Sequence, residues 1–184
     1  FTSFRKSMPL WLKEKLFLKD HLLSEIRSIE PAFHEEKLLF SEHHLSHAAS
    51  AFFASPFERA AVLTLDGVGE WTTTSVSIGS RDSESTTARL KRVRELQFPH
   101  SLGLLYSTLT TYAGFKVNSG EYKLMGLAPY GTPRFEKLIF DHLIELNDDG
   151  SFRLNFEYFD FCTGIKMFSP KLETLFGQPA RTPE

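Results

Sequence analysis

In SEHHLSHAAS, residues 41–50, His43 and His47 stand four residues apart. On a helix an i, i+4 pair projects from one face and can share a ligand, whereas His44 points about 100° away. Ala48, Ala49, Ser50 and Ala51 follow, small enough to let another backbone or a ligand come close. A short apolar run then ends in Asp66-Gly67-Val68-Gly69-Glu70. A carboxylate closing a strand just before a glycine turn sets an oxygen ligand beside backbone amides that can face an anion. Two imidazoles and one carboxylate suit a divalent ion that keeps positions open for water or a substrate oxygen. His43, His47 and Asp66 are thus candidate metal ligands, with Asp66 also a candidate catalytic group, and the amides around Gly67 and Gly69 are candidate phosphate cradles. Plainer readings exist: such histidine pairs arise by chance on helix surfaces, and Asp-Gly after a strand is a common turn in which the aspartate accepts from the next amides. Glu70 is either a group supporting the site or the acceptor, or one more solvated turn glutamate.

A second stretch, NSGEYKLMGLAPYG, packs Gly120, Gly126 and Gly131 around Glu121, Lys123, Pro129 and Tyr130. Its glycines predict tight backbone approaches. Lys123 could neutralise a nucleotide phosphate, with Glu121 and Gly126 lining the same cofactor site. The alternative is a surface lysine on a short helix whose Tyr122, Leu124 and Met125 serve the core. His100, beside Pro99 at a strand end, is expected to cap or pack, and Cys162, among aromatics with no base spaced near it, to be buried filler.

The elements that must position these groups follow from periodicity. Leu12, Leu16, Leu22, Leu23, Ile26 and Ile29 recur at helical spacing and predict an amphipathic helix stopped by Pro31. KLLF reads as a short strand, and LSHAASAFFA as a helix closed by Pro56. AAVLTLDG, TTTSVSIG and RLKRVRELQF read as successive strands of an antiparallel meander. SLGLLYSTLTTYAG predicts a helix with Gly114 as its C-cap, RFEKLIFDHLIEL a further helix ended by NDDG, and SFRLNFEYFDF one or two strands. The architecture expected is mixed α/β.

Composition bounds the function class. The chain has 184 residues, 41% hydrophobic and 24% charged, with a formal net charge of -2. That is a globular balance, and nothing in it points to nucleic acid or a membrane surface. The single cysteine excludes a disulfide framework and a thiolate zinc cluster, which suits a reducing compartment, so a cytoplasmic location is expected. The start at Phe1 and the polar end QPARTPE read as a piece of something longer.

Taken in order, HHLSHAASAFFASPF, AAVLTLDGVGEW and NSGEYKLMGLAPYG resemble the signatures of the carbamoyltransferase family of nodulation and antibiotic-tailoring O-carbamoyltransferases. The resemblance implies a partial actin/hexokinase/Hsp70-like ATPase domain with an antiparallel or mixed sheet flanked by helices, residues 1–58 closing one subdomain and 59–184 opening the next. It also implies a divalent metal, iron ahead of zinc or manganese, at His43, His47 and Asp66, with a further aspartate ligand from beyond this chain. Carbamoyl phosphate and ATP would yield carbamoyl adenylate in a separate YrdC-like domain, absent here. The carbamoyl group would then pass to the hydroxyl of a small acceptor. By that resemblance the fragment alone is expected to turn over little.

Three other readings remain open at this point. A TsaD-type tRNA threonylcarbamoyl transferase is similar, although GEYKLMGLAPYG and the Asp-Gly-Val-Gly-Glu turn favour the small-molecule branch. Non-haem iron oxygenases share a two-His, one-carboxylate set but usually place the acid close to the first histidine on a barrel strand. A non-catalytic binding module of the same fold is the third, against which the intact His43, His47 and Asp66 count. HEEKL at His34 is no zincin, since Leu38 stands where the second histidine belongs.

Overall fold

The computed structural model describes residues 2–82 and 87–183. Two compact units divide the chain, one of Phe1–Ser41 with Thr163–Ile165 and one of Glu42–Cys162 with Lys166–Glu184.

In the first unit, α1 (Thr2–Leu10) runs into a π-helical turn, Trp11–Lys15, before α2 (Leu18–Ile29). The expected amphipathic helix is therefore interrupted. Leu16 N–H reaches back to Trp11 O in the wider π spacing, and Phe17 leaves helical geometry at φ -108°, ψ 22°. Pro31 stops α2 as expected, Glu30 already being extended at φ -127°. KLLF does not form a strand: Glu35–Lys37 is a 3-10 turn, and Leu39 and Phe40 stay exposed. A strand is stable only with a pairing partner, and among the described residues none is offered there.

The second unit is built on the meander. β1 (Arg59–Gly69), β2 (Thr72–Arg81) and β3 (Ala88–Gln97) pair antiparallel in that order. The β1–β2 ladder is regular from Arg59↔Ser80 to Leu65↔Thr74 and resumes at Gly69↔Thr72, so Asp66, Gly67 and Val68 bulge out opposite Thr73. Helix α3 (His43–Phe53) lies on this sheet. Its inward positions are His44, Ala48 and Phe52, an i, i+4, i+8 row that is all buried. Ala48 and Phe52 form a small core with Val62 of β1. Arg81 also donates to the Phe52 and Phe53 carbonyls at the C-terminal end of α3.

Helix α4 (Leu102–Tyr112) starts on a capping bond from Leu104 N–H to Ser101 Oγ and is followed by Gly114 at φ +88°. The short α5 (Glu121–Leu127) follows. The helix expected over RFEKLIFDHLIEL is cut short, with α6 (Glu136–Leu138) and a π turn (Ile139–Leu143) giving way to β4 (Ile144–Leu146). β4 pairs with β5 (Phe152–Leu154), and NDDG is the hairpin loop, Gly150 adopting φ +81°. Hairpin pairing buries Ile144, Phe152 and Leu154, and that burial overrides the local helical period. These residues, with Leu143, Tyr112, Phe159 and Leu172 and Phe176 of α7 (Pro170–Phe176), form the larger core. Cys162, expected buried, is exposed. The domain is mixed α/β, with helices flanking antiparallel sheets. No helix among the described residues is long and apolar enough to cross a membrane.

Candidate cation site

His43 and His47 open helix α3 on the face beside the bulge of β1, while the inward row carries His44 into the core. The bulge turns the Asp66 side chain toward the two rings. His43 Nε2 lies 2.5 Å from Asp66 Oδ2, His47 Nε2 lies 3.5 Å from that oxygen, and the two imidazole nitrogens are 3.0 Å apart. One ligand atom from each residue thus falls within 4.8 Å of the others. Donors sharing an ion at about 2.0–2.2 Å must sit roughly 3–3.5 Å apart. Two of the three separations already match, and the third is a direct His43–Asp66 hydrogen bond that an ion would replace. The donor set fits a divalent cation. The site is accessible, with side-chain exposures of 42% for His43, 54% for His47 and 29% for Asp66.

Asp66 is tied from behind. Gly67 N–H donates to its Oδ1 at 2.6 Å, and Ser101 Oγ lies 3.0 Å from its carbonyl and 2.7 Å from that of Gly67. Gly103 lets the first turn of α4 press against the same peptide, since a Cβ there would fall 2.6 Å from Asp66 C and O. Burial pushes the Asp66 carboxyl up, but the Gly67 amide and the His43 and His47 rings together outweigh it and hold the group below its ordinary range. Asp66 is therefore a carboxylate at neutral pH. His44 is held low chiefly by burial, and its Nδ1 lies 2.9 Å from Ser75 Oγ of β2.

The other predicted residues lie differently. Asp66 does not end its strand: β1 continues through the bulge, and the Gly67 amide is engaged by Asp66 itself. Gly69 is buried against the His43 and His44 rings. Glu70 sits at the exposed hairpin tip with φ 60°. In the second motif, Glu121 accepts from Asn118 N–H, Gly120 N–H and Ser107 Oγ. Burial raises its carboxyl, but these bonds prevail and leave it lowered. Lys123, Tyr122 and Met125 are exposed on α5, so Tyr122 and Met125 do not serve the core. A Cβ at Gly126 would meet nothing within 4 Å, whereas one at Gly120 would meet Lys116 O at 2.6 Å. Only Gly120 answers the expectation of a tight approach. His100 packs as expected, with Nδ1 accepting from Leu154 N–H at 3.0 Å. Ser75, Ser101 and Gly103 escaped the sequence reading. Serines within TTTSVSIG and ahead of a helix carry no local mark of a site thirty residues away in the chain.

The carbamoyltransferase N-terminus family model matches residues 1–183. The chain belongs to that family. An uncharacterized Synechocystis protein is 54% identical over 184 residues, covering 99% of this chain and 29% of that relative. Nodulation protein NolNO of Sinorhizobium fredii is 36% identical over 148 residues, 80% of this chain and 20% of that protein. Nodulation protein NolO of Bradyrhizobium diazoefficiens is 38% identical over 117 residues, 62% and 20% of the two chains. The chain thus spans less than a third of the length of these relatives. In this carbamoyltransferase domain, His43, His47, Asp66 and the Glu121 loop all fall within the matched residues.

Proposed function

We propose that this domain supplies a divalent cation site to an O-carbamoyltransferase that moves a carbamoyl group from carbamoyl adenylate to the hydroxyl of a small acceptor. The observation that carries the reading is the convergence of His43, His47 and Asp66 within 4.8 Å in a carbamoyltransferase N-terminus domain. In the transfer, the acceptor oxygen bonds to the carbamoyl carbon while the bond from that carbon to the phosphate oxygen breaks. AMP leaves with the electron pair, and the hydroxyl proton goes to water. A bound cation, iron ahead of zinc or manganese, would supply Lewis-acid polarisation of the carbonyl and neutralise phosphate charge. Asp66, ionised at neutral pH, gives the site its anionic ligand, and the exposure of the two rings leaves room for substrate oxygens.

Lys123, exposed on α5, is the candidate contact for the nucleotide phosphate, and Glu70 at the hairpin tip for the acceptor. Formation of carbamoyl adenylate from carbamoyl phosphate and ATP is assigned to a YrdC-like domain elsewhere in the polypeptide. An ATPase-fold context and a cytoplasmic location complete the reading. The test is anaerobic metal titration of the full-length protein together with carbamoyl transfer from carbamoyl adenylate. His43→Ala and Asp66→Ala are expected to lose both metal and transfer. Full activity in both variants would end the proposal.

A further inference from the structure

One imidazole of the cation site, His43, and its inward neighbour His44 rest on a residue with no side chain. A Cβ built on Gly69 would lie 2.5 Å from His43 Cδ2 and 2.7 Å from His44 Cδ2, distances that real side chains do not tolerate. Both opposing atoms belong to rings, and neither ring is free to yield. His43 is tied to Asp66, and His44 is buried with its Nδ1 on the equally buried Ser75 Oγ. Gly69 does not lie in the left-handed region that demands glycine, so steric space is the reason for glycine at this position. The first turn of α3 is thereby seated between a notch in β1 and a hydroxyl on β2.

We infer that Gly69 and the Ser75–His44 hydrogen bond are positioning elements that set the His43 and His47 nitrogens at cation-binding distance from Asp66. The inference rests on the cation reading above and deepens it, moving Gly69 from an anion cradle to the seat of the ligating helix. Outer-shell groups that orient ligands commonly govern about 10–100-fold in metal affinity.

Gly79 supplies the matched control. It faces the other end of the same helix, where a Cβ would fall 2.5 Å from the Phe52 ring and touch no imidazole. The experiment is Co2+ titration of the full-length protein, read by visible absorption, alongside thermal unfolding without metal. Gly69→Ala is expected to weaken Co2+ binding by at least about tenfold and to alter the absorption bands. Gly79→Ala is expected to lower the unfolding midpoint while keeping affinity within about twofold, because its clash is with the core and not with a ligand. Ser75→Ala, a small change that keeps the fold, is expected to weaken binding by several-fold, with Ser75→Thr restoring it. That variant carries the test if Gly69→Ala does not fold. Unchanged Co2+ affinity and spectrum in folded Gly69→Ala or Ser75→Ala would overturn the inference. So would an equal loss of affinity in Gly79→Ala at equal loss of stability. A wild-type protein that binds Co2+ no better than His43→Ala would instead defeat the cation site itself.

Discussion

Asp66 and Glu121 are both carboxylates in glycine-bearing motifs, and the fold uses them in opposite ways. Asp66 has one oxygen anchored by the Gly67 amide and the other aimed at two imidazoles on an accessible face. Glu121 spends its oxygens on Asn118 and Gly120 amides and the Ser107 hydroxyl, locking the turn that starts α5. Both are held below the ordinary carboxylate range, against a burial effect that alone would raise them. A lowered pKa therefore does not distinguish a candidate ligand from a strut. The partners do: exposed imidazoles in one case, backbone amides and a buried hydroxyl in the other.

The largest effect is expected at the first carboxylate. Asp66→Asn should reduce Co2+ affinity by more than about 100-fold, beyond what outer-shell partners cost, in a titration of the full-length protein. Glu121→Gln should leave that affinity unchanged and lower stability by about 2 kcal/mol, as loss of hydrogen bonds to a charged acceptor implies, measured by denaturant unfolding at pH 7. A Glu121 variant that bound cation poorly would erase the contrast between the two motifs.

The pH dependence of Glu121 follows from its sign. A folded-state pKa below 4.5 means the unfolded chain binds more protons in the interval, so the stabilisation is complete above 4.5. It is lost as pH falls through the lower folded value, and wild type and Glu121→Gln should converge there in unfolding free energy. Lys123→Ala should raise the KM for carbamoyl adenylate by about fivefold with kcat little changed, the effect of an exposed ion pair. The smallest effect belongs to Gly126, which lies within α5 with open space around it. Gly126→Ala should stabilise by about 0.5–1 kcal/mol, read as a higher unfolding midpoint.

Much of the fold was legible because its signals are local. The meander announced itself through β-branched residues and the glycine-containing or polar turns between its runs, and α3 through its small-residue run, so that His43, His47 and the Asp66 motif could be placed on a helix and a strand. Where local period competed with pairing, it lost. Ile144 to Leu146 carry the end of a helical pattern yet pair with Phe152 to Leu154, because the hairpin buries Ile144, Phe152 and Leu154. KLLF failed in the other direction, a short apolar run with no ladder to join among the described residues.

For the candidate site, residue types and spacing singled out three side chains that the fold brings together, since i, i+4 geometry follows from helix pitch alone. What the chain could not reveal by itself was the seat. Asp66 lies in a bulge, a register event that exists only when β1 meets β2, and the notch at Gly69 matters only because α3 crosses it. Ser75 on β2, and Ser101 and Gly103 at the start of α4, act on residues distant in sequence. Covalent spacing along one element is written in the residues. Contacts between elements arise only from packing.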